Sequence, residues 1–141
     1  MATAPIRRIS AQEVSHGIIT AAMRVHTELG PGLLESTYQA CLQHELFGAG
    51  TRSARQVGLP VVYRGVKLEL GYRMDLVVED LVIVEIKSVD AISPVHHAQL
   101  ISYLKLSGKS IGLLINFNVV HLKDGIRRFV NGHGWRETRD L

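Results

Sequence analysis

Gly71-Tyr72-Arg73-Met74-Asp75-Leu76-Val77-Val78-Glu79-Asp80-Leu81-Val82-Ile83-Val84-Glu85-Ile86-Lys87 is the stretch on which the fold turns. It predicts two adjacent strands. Residues 81–84 form an unbroken aliphatic and β-branched run, the pattern of a strand covered on both faces. The same strand continues into Glu85 and Lys87. Charges in a buried strand are costly unless they are paired, hydrogen-bonded or bound to a metal. A core pattern broken by charge marks a candidate functional site.

Strand alternation turns this into a geometric demand. Glu85 and Lys87 are two apart and share a face. Asp75 joins them only if it sits opposite Glu85 across the hairpin. That requires an odd loop such as Glu79-Asp80-Leu81, or a bulge, because a plain two-residue Glu79-Asp80 turn sends Asp75 to the other face.

Outward from this hairpin, residues 1–9 read as a loose arm. Ser10 and Glu13 then give a capping-box pattern. Val14, Ile18, Ala21, Ala22, Val25 and Leu29 follow at helical spacing, and Gly30-Pro31-Gly32 stops that helix. A second helix is expected over 33–47. Residues 56–63 and 66–78 read as strands, the latter irregular near Leu70-Gly71, and 81–88 as the third. Ser93-Pro94 opens a helix that runs to Leu106 and ends at Gly108. Residues 111–117 predict a buried strand, parallel to a neighbour because a helix intervenes. Another strand or turn follows at 119–122, then a short strand at 126–130. The tail from Gly132 is expected to pack little apart from Trp135. The order is ααβββαβ: an α/β domain with a mixed sheet flanked by helices, one domain over residues 1–141 with loose ends at 1–9 and 132–141.

Composition agrees with a single globular domain: 141 residues, 46% apolar and 21% charged. No apolar run approaches the ~20 residues of a membrane helix, and residues 1–8 lack the apolar segment of a secretory signal. The single cysteine, Cys41, excludes an internal disulfide framework and fits a reducing cytosol. A net charge of +3 permits a nucleic-acid partner. Neither a Walker-type nor a dinucleotide glycine pattern is present.

Asp75, Glu85 and Lys87 form the candidate chemistry. Two carboxylates on adjacent strands suit a hard cation such as Mg²⁺, and a lysine beside them can stabilise phosphoryl charge or position a water. The alternative is a structural ion-pair set of Asp75 and Glu85 with Arg73 and Lys87. Gln99 and Tyr103, at i and i+4, share a helix face. His96 and His97 point in different directions on a helix and suit phosphate contact or solvent better than a metal. His26 is expected to be structural, and Cys41 a small core residue. Lys105, Lys109, Lys123, Arg127 and Arg128 are candidates for phosphate contact or for a solvated face.

Asp75 followed by Glu85-Ile86-Lys87 on the next strand resembles the PD-(D/E)XK nuclease superfamily. Gly32-Leu33-Leu34-Glu35-Ser36-Thr37-Tyr38 is similar to the signature of the bacterial GxxExxY protein family, and Gln99-Leu100-Ile101-Ser102-Tyr103 to the QxxxY motif of some nuclease branches. Met74 stands where the superfamily pattern has proline. The resemblance implies a restriction-endonuclease-like core and a nuclease acting on nucleic acid, DNA first. It implies Mg²⁺ or Mn²⁺ held by Asp75, Glu85, the Ile86 backbone carbonyl and Glu35. Lys87 would assist the attacking water, with Gln99 and Tyr103 completing the site. A cytoplasmic location is expected, and a homodimer is left open. Tyr38 reads as a core aromatic with a satisfied hydroxyl. The alternative function is an inactive nucleic-acid-binding or scaffold protein that keeps the fold.

Overall fold

The computed structural model describes residues 8–131 and, by backbone alone, 136–138. Helix α1 spans Ala11–Leu29, and the Ser10 side chain caps it by accepting from the Glu13 amide. Its face of Val14, Ile18, Ala21, Ala22 and Val25 is buried. Helix α2 spans Glu35–Gly48 and buries Tyr38, Leu42 and Leu46. It starts later than its apolar pattern suggests, because Leu34 is extended and serves as the cap. Pro31 and two positive-φ glycines, Gly30 and Gly32, hold the turn between the helices.

The strands that follow are more finely divided than expected. The predicted strand over 56–63 is two: β1, Ser53–Gly58, and β2, Val61–Tyr63. The predicted strand over 66–78 is also two: β3, Val66–Leu68, and β4, Arg73–Val78. Pro60, which has no N–H to give a ladder, lies at the first break, and Gly71 at φ 80° lies in the second. Strands β2 and β3 pair only with each other, as a separate hairpin.

Strand β5 spans Val82–Lys87, helix α3 Pro94–Ser107 and β6 Ile111–Asn116. Residues 119–122 form no strand; a short 3-10 turn at Leu122–Gly125 leads into β7, Ile126–Val130. The tail contributes β8, Arg136–Thr138, antiparallel to β7, where loose chain was expected. Trp135 and residues 1–7 lie outside the described residues. The main sheet runs β1-β4-β5-β6-β7-β8. Among the described residues, only β5 and β6 pair in parallel, and α3 is the crossover that makes this possible.

The sheet lies between two helical layers. Val82, Val84 and Ile86 of β5 pack with α1 and α2, while Ile83 packs with Leu100, Tyr103 and Leu104 of α3. Helix α3 rests so closely on β6 that a Cβ on Gly112 would meet the Leu100 side chain at 2.9 Å. Among the described residues, no helix is long and apolar enough to cross a membrane.

Candidate active site

The hairpin register decides the site. Leu76 pairs with Val84, Val77 with Ile83 and Val78 with Val82. The loop is therefore Glu79-Asp80-Leu81, three residues, with Glu79 and Asp80 both at positive φ. Glu79 accepts from the Arg52 amide at 2.8 Å and pairs with its guanidinium, and Asp80 meets Lys109 Nζ at 2.8 Å. The ladder ends at Leu76–Val84, and the next residues, Asp75 and Glu85, meet through their side chains, with both carboxylates acting on Tyr103 of α3.

There the ladder gives way to side chains. The Asp75 N–H donates to Glu85 Oε2 at 3.2 Å, and the Ile86 N–H donates to Asp75 Oδ2 at 2.8 Å. Each carboxylate takes the main-chain amide that the opposing strand offers. On the other side of β4 the pairing also skips: Gln56, which would face Asp75 from β1, has a φ of 51°. The strand thus opens at Asp75 on both flanks, and the carboxylates occupy the gap.

Glu85 is 3% exposed. Burial, and then the Asp75 carboxyl beside it, push its pKa up to about 9, against the opposing pulls of the Asp75 N–H and the Lys87 charge. The buried Glu85 carboxyl, with half-buried Asp75 beside it, is under-compensated by positive charge. The donors on hand, two carboxylates and the nearby main-chain carbonyl of Ile86, are all oxygen, which is the chemistry Mg²⁺ and Mn²⁺ prefer. Among the described residues, no three His, Cys, Asp or Glu side chains are gathered closely enough to hold an ion. The carboxylates on offer are the Asp75–Glu85 pair.

Glu35 arrives from the opposite layer. Its Oε1 accepts from the Ser88 N–H at 3.3 Å, just past the end of β5, while Ser88 Oγ donates to the Leu33 carbonyl at 2.6 Å. Tyr38 sets this junction: its hydroxyl donates to the Gly30 carbonyl at 2.6 Å and accepts from the Leu33 N–H at 3.1 Å. Its ring is fully buried and stacks on Phe117 at 4.5 Å. Tyr38 is therefore a positioning residue for the turn that carries Glu35.

Gln99 and Tyr103 face the carboxylates from α3. Gln99 Nε2 donates to the Tyr103 hydroxyl at 3.0 Å, leaving the phenol its own proton to give. Burial and then the Glu85 charge hold the Tyr103 pKa above its ordinary value, so the hydroxyl stays neutral.

Asn116, a residue the sequence did not single out, holds the segment after Lys87. It sits beside Lys87 on β6 and is buried. Its Oδ1 accepts from the Val89 N–H at 3.1 Å and its Nδ2 donates to the Val89 carbonyl at 2.9 Å. The available signal was an asparagine inside the otherwise apolar run 111–117.

Several secondary candidates are placed elsewhere. His96 is a helix cap, its Nδ1 accepting from the Ser93 amide, and His97 lies edge-on to Phe129. His26 Nε2 is bonded to the Val119 carbonyl. Cys41 packs half-buried against the core. Lys109 is engaged at the hairpin turn, the end of the sheet away from the carboxylates. Arg128 is buried and donates to Gln12, and Arg127 donates to the carbonyls of Asp124 and Ile126.

No curated protein and no solved structure matches the chain. The family model described as the PD-(D/E)XK nuclease superfamily matches residues 12–129, which takes in α1, both carboxylate strands, α3 and nearly all of β7. With that match over most of its length, the chain belongs to the PD-(D/E)XK nuclease superfamily.

Proposed function

We propose that this protein is a divalent-metal-dependent nuclease of the GxxExxY branch, hydrolysing phosphodiester bonds in DNA. The observation that carries the reading is the Asp75–Glu85 pair, in which Glu85 accepts from the Asp75 amide and Asp75 from the amide of Ile86, next to Glu85. A structural ion-pair set would match charge with charge. Here Arg73 instead donates to the Gln56 carbonyl, and Glu85 is left under-compensated.

In this reading Asp75, Glu85 and the Ile86 carbonyl hold Mg²⁺ or Mn²⁺, with Glu35 approaching from the end of β5. The ion, when bound, supplies Lewis-acid stabilisation of phosphoryl oxygen charge and eases deprotonation of a water. Lys87, on the same face, orients the attacking water and offsets negative charge on the phosphate. Tyr103, kept neutral and oriented by Gln99, donates a hydrogen bond to a phosphate oxygen. Asn116, Tyr38 and Ser88 keep the strand end from shifting. The lone half-buried Cys41 suits a reducing compartment, and we read the protein as cytoplasmic.

The test is incubation with plasmid and single-stranded DNA in Mg²⁺, Mn²⁺ or EDTA, beside Asp75→Ala and Lys87→Ala. Metal-dependent cleavage, reduced at least ~100-fold in both variants, is the expected result. Cleavage that survives both substitutions contradicts the site. DNA binding with no cleavage under any metal favours a non-catalytic descendant of the fold.

A further inference from the structure

Among the described residues, the β2–β3 hairpin is an element whose apolar residues the core does not use. None of residues 61–70 belongs to either core cluster. Val62, Tyr63, Val66, Leu68 and Leu70 are all exposed, Tyr63 at 60%. A two-stranded ribbon that pairs with no other strand is marginal in water, so exposed apolar side chains there do little for the fold. Register sorts them: Val61 faces Leu68 and Tyr63 faces Val66, so one side of the ribbon is wholly apolar or aromatic.

That side leads to the carboxylates. Val61 shares a recess of about 240 Å³ with Tyr72, Gln99 and Tyr103. Tyr72 closes the base of the ribbon, where its carbonyl accepts from the Leu59 N–H, and its exposed ring meets Tyr103 edge-on at 6.3 Å. At the tip, Arg64 lies 5.6 Å over the Tyr63 ring. Residues 59–73 carry three cations, Arg64, Lys67 and Arg73, against one carboxylate, Glu69.

We propose that the β2–β3 hairpin is a guiding arm for an unpaired nucleic-acid strand. Bases stack on Tyr63 and Tyr72, a phosphate meets Arg64, and the strand is led into the recess beside Gln99 and Tyr103. This deepens the nuclease reading and rests on it for the destination of the strand. Charge and surface type select the occupant. A polyanion complements the excess of cations, whereas a second copy docked face to face would set that excess against itself. Duplex offers phosphates but keeps its base faces stacked inside, and an aromatic–aliphatic ribbon needs those faces free.

The experiment measures binding in EDTA, apart from any chemistry. Fluorescence anisotropy is followed with a labelled DNA strand, the RNA strand of the same sequence and the DNA duplex. The wild type is expected to bind a single strand more tightly than the duplex. Tyr63→Ala and Tyr72→Ala each weaken single-strand binding by roughly 5- to 150-fold, the span of one stacked base, while Tyr63→Phe retains it. Melting by circular dichroism verifies that the variants stay folded, as exposed positions should allow. Equal affinity for strand and duplex, or Tyr63→Ala binding like wild type, overturns the arm. So does a wild-type dimer in light scattering that Tyr63→Asp dissolves, which would assign the ribbon to a second copy. The two readings fail separately: Tyr63-dependent strand binding without metal-dependent cleavage supports the arm and sinks the nuclease reading. Cleavage with Tyr63-independent binding does the reverse.

Discussion

Glu85 shows what the site costs the fold when no cation is present. Its ordinary pKa is 4.5, and in the folded chain burial and Asp75 raise it to about 9. Between those values the folded state holds a proton that the unfolded state has released, so stability falls as pH rises. The contribution is fully present below about pH 4.5 and lost as the pH passes about 9. Melting followed in EDTA should show Tm declining across that window. Glu85→Gln keeps the shape and removes the charge, so it should flatten the decline. At pH 9 it should exceed the wild type by on the order of 1–3 kcal/mol, the scale of a buried polar group short of partners, while abolishing cleavage. A Tm that climbs with pH in the wild type, or a variant less stable at pH 9, would contradict the account of Glu85. The charged residues of this site were legible because they interrupt an apolar run, and strand alternation then fixed their faces. Lys109 and Arg128 stayed open between phosphate contact and a solvated face because local sequence does not say which end of a sheet, or which side of its surface, a cation will occupy.

Among the elements, the segment after β5 deserves a test of its own, since Lys87 is held only as well as its neighbours. Glu35 of α2 and Leu33 of the turn before it grip Ser88, and Asn116 grips Val89 from β6. Asn116→Leu removes both bonds to Val89 and should cost about 1–3 kcal/mol. It should also lower turnover more than it weakens DNA binding, which stopped-assay kinetics can separate. Gly125 offers a second handle from outside the site. A Cβ there would fall 2.1 Å from the Asn116 carbonyl oxygen, so Gly125→Ala must move backbone. Loss of about 1–3 kcal/mol in denaturant unfolding is expected, with activity falling in step. A fully stable and active Gly125→Ala would show that the 3-10 turn has no hold on β6. The helices were readable from their caps and glycine stops. The separate β2–β3 hairpin was not, because Val61, Val62 and Val66 look the same in sequence whether a core covers them or water does.

For the whole molecule, the three layers bring Asp75 and Glu85 on the sheet, Gln99 and Tyr103 from α3, and Glu35 from α2 to the same end of β5. Cation binding there should couple directly to folding. At a Mg²⁺ concentration roughly 100-fold above Kd the stabilisation should reach about 2.7 kcal/mol. Differential scanning fluorimetry should show this as a rise in Tm that Asp75→Asn abolishes. The rise should grow from pH 6 toward pH 9, since Glu85 must release its proton to serve as a ligand. A Mg²⁺ effect of equal size in Asp75→Asn would mean that the ion binds elsewhere. The layered plan followed from the order of elements; the meeting of Glu35 with the strand end did not, because it depends on how a helix start reaches around a sheet.

The three-residue turn Glu79-Asp80-Leu81 has a consequence for how this gene can change. Substitutions in the turn leave the count intact, and so leave the carboxylates together. Losing or gaining one codon there turns β4 over, exchanging Asp75 for an apolar neighbour on the α3 face and sending Val77 away from its core. Gaining two codons restores the original facing. The lineage can therefore lengthen this hairpin only in even steps, and an odd-step variant found in nature should carry a compensating bulge or have given up cleavage.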